Sequence, residues 1–130
     1  MHLSLSFLAC CTIAVQPSPT TKHTKDSLDT VKKMIASRKA ILVDVREQPE
    51  WDEGHIKDAV FLPLSELRKG AVPKEVAQSL PKEKVIYCHC RSGVRCLSAA
   101  EILKELGYDV RPLKPGYRDL VDAGFPRAGQ

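Results

Sequence analysis

Apolar positions change period several times along this chain, and each change marks an element. Leu28, Val31 and Ile35 recur at helical spacing behind Asp26 or Ser27, which predicts an amphipathic helix from Ser27 to about Ser37. The next run, Ala40 to Val45, is apolar at nearly every position, the pattern of a strand buried on both faces of a parallel sheet. Ala59 to Leu62 predicts a second strand that stops at Pro63. Two short helices are expected next, Leu64 to Arg68 and Pro73 to Leu80, the latter with Pro73 at its first position. Lys84 to Cys88 is the third strand. From Arg95 the apolar residues Ala99, Ile102, Leu103 and Leu106 keep the helix period until Gly107 stops it. Tyr108 to Leu113 reads as the last strand, followed by a Pro115-Gly116 turn and a short helix ending near Ala123. Alternating strands and helices predict an α/β fold, a parallel sheet flanked by helices on both faces. Its ligand sites should lie beyond the carboxyl ends of the strands.

The N-terminal part follows a different pattern. Leu3 to Val15 is an apolar stretch too short to span a bilayer as a helix, but it suits the apolar region of a signal peptide. Thr12-Ile13-Ala14 offers a small-residue cleavage site, so residues 1–14 read as a signal peptide, although no Lys or Arg precedes the apolar stretch. Export to a periplasm or the exterior is the expectation this carries. Without a signal the chain would be cytoplasmic, and retention or lipid attachment at Cys10 or Cys11 are the other readings. Residues 15–25, polar with two prolines, read as a linker, and the domain is expected over residues 26–127.

Composition narrows the function. With 130 residues, 43% hydrophobic and 28% charged, the chain suits one soluble globular domain able to stand as a monomer. The net charge of +4 comes without a long basic run, which argues against nucleic-acid binding and leaves a small anionic partner open. Five cysteines in two groups do not form a disulfide framework.

Chemistry concentrates in residues 88–96, CHCRSGVRC. A cysteine between a buried strand and a helix start sits where a tight loop aims successive backbone N–H groups into one concavity. Gly93 allows the turn, and Arg91 and Arg95 add positive charge, so Cys90 is expected to ionise well below the usual thiol value of about 8.5. The result is a nucleophile with an anion site around it. His89-Cys90 followed by Arg95 nearly matches the cysteine-phosphatase signature, but only four residues separate Cys90 from Arg95, and the smaller loop leaves less room for a phosphoryl group. A metal site built on Cys88, His89 and Cys90 is disfavoured, because adjacent strand residues point to opposite faces and no second ligand pair exists. Cys88 and Cys96 read as packing residues, either of which could pair with Cys90 on oxidation.

The loop CRSGVR resembles the active-site loop of single-domain rhodaneses, the sulfurtransferase family. Leu42-Val43-Asp44-Val45-Arg46-Glu47, Glu50-Trp51, Gly54-His55-Ile56, Ala59 and Pro63 resemble that family's first motif, and Gly116 with Ala123-Gly124-Phe125-Pro126 its C-terminal signature. The resemblance implies that Cys90 takes sulfur from a small anionic donor such as thiosulfate and becomes a persulfide. Arg91, Ser92, Gly93, Val94 and Arg95 would hold the donor, and a thiol or protein would accept the sulfur. No metal or organic cofactor is implied. Asp44 and Arg46, at the end of a buried strand, read as an ion pair supporting the site, and His55 as a loop-fixing donor to a backbone carbonyl. A carrier that holds the persulfide for a partner without turning over thiosulfate is the alternative.

Overall fold

The computed structural model describes residues 20–129, so the expected signal peptide and the adjacent cysteines Cys10 and Cys11 lie outside the described residues. Its elements run α1 Leu28–Ala36, β1 Ala40–Asp44, α2 Gln48–Glu53, β2 Val60–Phe61, α3 Leu64–Leu67, α4 Lys74–Ala77, β3 Val85–His89, α5 Arg95–Glu105, β4 Asp109–Pro112 and α6 Tyr117–Asp122. The four strands make one parallel sheet in the order β2-β1-β3-β4. From β1 the chain first moves to β2 on one side, then returns to add β3 and β4 on the other. The carboxyl ends of β1 and β3 therefore flank a topological switch point, the place where open α/β sheets bind ligands.

Strand alternation divides the core in two. Val43, Val45, Ile86, Cys88 and Val110 face one layer with Leu64, Leu67, Ala99, Ala100 and Leu103, under α3 and α5. Ala40, Leu42 and Tyr87 face the other with Val31, Leu113, Leu120 and Phe125, under α1 and α6. Helices thus cover both faces, as the alternating pattern predicts.

Local chemistry sets the boundaries. Ser27 caps α1, its hydroxyl accepting the Thr30 N–H at 3.1 Å. Gly107, at φ +95°, ends α5 in the left-handed conformation that glycine adopts at little cost. Three boundaries differ from expectation. The helix α2 is unpredicted: its six residues have no apolar period, and a backbone-closing box between Glu47 and Glu50 starts it instead. The helices α3 and α4 are single turns, and Pro73 sits at the cap of α4 rather than inside it. The segment read as a linker is docked from Thr21 onward. Thr21 bonds to Glu101 and the Thr24 N–H donates to Pro112 O at 2.8 Å, while Asp26, the first residue of the expected domain, accepts from Tyr87 Oη at 2.6 Å and Arg111 Nη1 at 2.9 Å. Its polar side chains and backbone find partners along β4 and α5, a form of order that hydropathy does not register.

Candidate active site

Cys90 follows β3 directly and closes the switch point. It is wholly buried, and its Sγ accepts the Gly93 N–H at 3.1 Å. Gly93 has φ +85°, and a Cβ there would lie 2.5 Å from the Lys114 carbonyl oxygen, so both its conformation and its surroundings require glycine. The Gly93 carbonyl accepts from His23 Nε2 at 2.6 Å and from Cys96 Sγ at 3.2 Å. Behind the loop, the Tyr117 N–H donates to Cys90 O at 2.9 Å. A Cβ on Gly116 would meet Arg91 O at 1.7 Å, so the turn before α6 packs backbone to backbone against the loop. Arg91, Ser92 and Val94 face outward, Val94 with 67% of its surface exposed. Val94 is also the cap of α5 and offers that helix no side-chain hydrogen bond.

The charges depart from expectation in two ways. Arg95 forms a two-pronged ion pair with Glu50, at 2.6 and 2.7 Å, and is not directed at an incoming anion. The pair holds the Glu50 carboxyl down at about 2, chiefly through the hydrogen bonds from Arg95. Arg91 is the loop's open cation, with no ion pair among the described residues. The second departure is the thiol. Cys90 is pushed up from the ordinary cysteine value, first by its hydrogen-bonding contact with the Cys96 thiol and then by burial. The expected low pKa is therefore corrected. One charge of the cradle is neutralised by Glu50, the other projects into solvent, and the backbone hydrogen bonds that favour the thiolate do not offset the Cys96 thiol and burial.

Asp44, Arg46 and His55 occupy a supporting layer. Asp44 accepts the Arg46 backbone N–H at 3.0 Å and its guanidinium at 2.9 to 3.1 Å, both residues being buried. Arg46 Nη2 also donates to Gly54 O at 2.7 Å, and its guanidinium lies 4.1 Å above the Tyr117 ring. His55 Nδ1 donates to Trp51 O at 3.0 Å, and its ring stacks on Trp51 at 3.6 Å. No hydrogen bond among the described residues joins Asp44, Arg46 or His55 to the Cys90 sulfur. His89, on the same sheet face as Asp44, is wholly buried with its Nε2 3.7 Å from Asp44 Oδ2, and burial, the largest effect, lowers its pKa. The structure thus brings residues 90–95 into one loop and sets Asp44, Arg46 and His55 beside it. Glu50, Gly116, Tyr117 and His23 also shape the loop and were not singled out by sequence. Glu50 and Gly116 carried a signal, their places in the first motif and the C-terminal signature.

Residues 27–123 match the family model of the rhodanese-like domain. The chain belongs to the rhodanese-like family. The uncharacterized protein YqhL of Bacillus subtilis is 37% identical over 82 residues, which are 62% of this rhodanese-like chain and 60% of YqhL. The thiosulfate sulfurtransferase GlpE of Coxiella burnetii is 29% identical over 75 residues, 58% of this chain and 64% of GlpE. The chain thus spans less than two thirds of either relative. Among solved structures, the human single-domain sulfurtransferase TSTD1 superposes with a TM-score of 0.64 at 29% identity, covering 82% of this chain and 97% of TSTD1. The four-stranded parallel sheet flanked by helices is the rhodanese-like fold.

Proposed function

We propose that this rhodanese-like chain is a sulfurtransferase in which Cys90 accepts the sulfane sulfur of a small anionic donor such as thiosulfate and passes it to a thiol or protein acceptor. The observation that carries the reading is the cysteine held at the floor of a glycine-hinged loop, its sulfur on the Gly93 N–H, at the switch point of the sheet. In the first displacement the outer sulfur of thiosulfate bonds to Cys90 Sγ. The sulfur–sulfur bond of thiosulfate breaks with its electron pair leaving on sulfite, and the thiol proton ends on the terminal sulfur of the persulfide. The open Arg91 guanidinium offers the donor's sulfonate a partner, and the Gly93 N–H with the start of α5 supports negative charge on the persulfide. The second displacement returns Cys90 to the thiol as the acceptor takes the terminal sulfur. The covalent intermediate divides one transfer into two steps.

A carrier reading draws support from the burial and raised pKa of Cys90, both of which slow turnover with free small molecules. A phosphatase reading loses its phosphate clamp, because Arg95 is engaged by Glu50. Intact mass of the purified chain after thiosulfate alone tests the proposal. One equivalent of sulfite and, in samples taken early, one added sulfur atom are expected, and both must vanish in Cys90→Ser. An unchanged mass with no sulfite rejects thiosulfate as donor.

A further inference from the structure

Three free thiols, Cys88, Cys90 and Cys96, are wholly buried in one core layer, and the sulfurtransferase reading uses only Cys90. Their convergence follows from the fold. Cys88 and Cys90 are two residues apart and so lie on the same face, and the first turn of α5, which packs on that face, adds Cys96. Cys96 Sγ–H donates to Gly93 O and Leu113 O, each at 3.2 Å, and Cys88 Sγ donates to Cys96 O at 3.5 Å. The thiols also bear on one another's protonation, Cys96 raising the pKa of Cys90 and Cys88 that of Cys96. Gly93 ties two of them together, its N–H on the Cys90 sulfur and its carbonyl receiving the Cys96 thiol.

Given the Cys90 persulfide, on which this step rests, we propose that Cys96 is a second sulfur centre that resolves it, closing a Cys90–Cys96 disulfide and releasing hydrogen sulfide. The Cys96 sulfur bonds to the inner sulfur of Cys90–S–SH. The bond between that inner sulfur and the terminal sulfur breaks, and its electron pair departs on the terminal sulfur as hydrosulfide. The Cys96 proton leaves with it, giving one H2S. The two cysteines are oxidised by two electrons and the sulfane sulfur is reduced by two, so no external oxidant enters.

Geometry favours Cys96 over Cys88 as the resolving residue. Alternate strand residues such as Cys88 and Cys90 stand about 6.6 Å apart along the strand, whereas a disulfide needs β-carbons within about 4.5 Å. Cys96 comes from a different element, and its S–H is directed at two carbonyls, which leaves its lone pairs free for a neighbouring sulfur. Its thiol is pushed up to about 12, foremost by the Cys88 thiol, so it stays protonated at neutral pH and must lose its proton as it attacks. The terminal sulfur, departing as hydrosulfide, is the base at hand for that proton. The consequence is self-limitation: without an acceptor, the loaded site discharges its sulfur as sulfide and rests as a disulfide that blocks Cys90 until a thiol reduces it.

The test uses the full chain, loaded in parallel with thiosulfate and with inorganic polysulfide, a donor that needs no recognition by the loop. Samples are quenched with an alkylating agent under denaturing conditions, and sulfide is measured in the thiosulfate arm. Wild type is expected to lose its extra sulfur and become two hydrogens lighter than the reduced chain, with a peptide link between Cys90 and Cys96 and one sulfide per link. Cys96→Ser and Cys96→Ala should keep the extra sulfur at least about tenfold longer, and Cys88→Ser should behave as wild type. The link in wild type is a readout that needs no variant to fold. Equal persulfide lifetimes in wild type and both Cys96 variants, a link to Cys88, or a link formed without donor would overturn the inference while leaving the Cys90 persulfide standing. Failure of both donors to add sulfur to any of these proteins removes the persulfide and this step together.

Discussion

Arg95 and Glu50 face each other fork to fork, Nη1 2.6 Å from Oε1 and Nη2 2.7 Å from Oε2, and so tie the start of α5 to α2. The cation that ends the reactive loop is a fastener for it, and Arg91 is the cation open to a donor. This division of labour separates stability from anion binding at the site.

Replacing Glu50 with Gln should therefore act in opposite directions on the two. The expected loss of stability is about 1 kcal/mol, modest because both side chains are a quarter to a third exposed. KM for thiosulfate should fall, because the released Arg95 adds a second positive charge. The Glu50 carboxyl is depressed from 4.5 to about 2, so its contribution is complete above pH 4.5 and disappears as pH falls toward 2. Denaturant titrations of wild type and Glu50→Gln should diverge above pH 4.5 and converge near pH 2. Equal stabilities at pH 7 would contradict the fastener.

His89 supplies a separate window at higher pH. The native state holds it neutral, because burial lowers its pKa from 6.5, whereas the unfolded chain protonates it below about that value. The unfolded state then binds the extra proton, so stability present above pH 6.5 is lost as pH falls below it. Denaturant midpoints between pH 7 and 5 should drop in wild type, and the drop should shrink in His89→Gln. A flat wild-type profile over this range would show that His89 charges in place.

Alkylation reports the state of Cys90. With its pKa raised by Cys96 and burial, its reaction with iodoacetamide should be slow at pH 7 and accelerate about tenfold per pH unit through pH 9. Cys96→Ser removes the first-named cause and should shift the profile to lower pH. A plateau at neutral pH in wild type would mean that the thiolate is already formed.

His23 holds the Gly93 carbonyl from outside the segment that matches the family model. Loss of one such hydrogen bond, worth about 1 kcal/mol, should lower thiosulfate turnover about fivefold in His23→Ala, with His23→Gln restoring part of it through its amide donor. The alkylation profile of Cys90 should move with it, since Gly93 also carries the N–H on the sulfur. An unchanged profile with only a lower melting temperature would reduce His23 to a packing residue.

Legibility in the sequence follows the range of the interaction. The strands β1 and β3 declare themselves, because burial on both faces leaves an unbroken apolar run, and Ala99 to Leu106 mark α5 by a single face. The helix α2 does not, since QPEWDE is held by capping and by the stacking of Trp51 on His55 and Phe61. At the site, the spacing of Cys90, Gly93 and Arg95 exposes the loop, but an ion pair reaching 45 residues back to Glu50 leaves no local pattern. The protonation of Cys90 is decided by tertiary contacts that motif reasoning omits, which is why the expected thiolate is a thiol. His23 escaped notice because one hydrogen bond from a polar segment has no periodic signature.

The most direct measurement is thiocyanate formation from thiosulfate and cyanide by the full chain, beside Cys90→Ser and Cys88→Ser. The account predicts turnover by wild type and Cys88→Ser and none by Cys90→Ser. Turnover surviving in Cys90→Ser, or lost equally in Cys88→Ser with its fold intact, would contradict the assignment of Cys90 as the sulfur-bearing nucleophile.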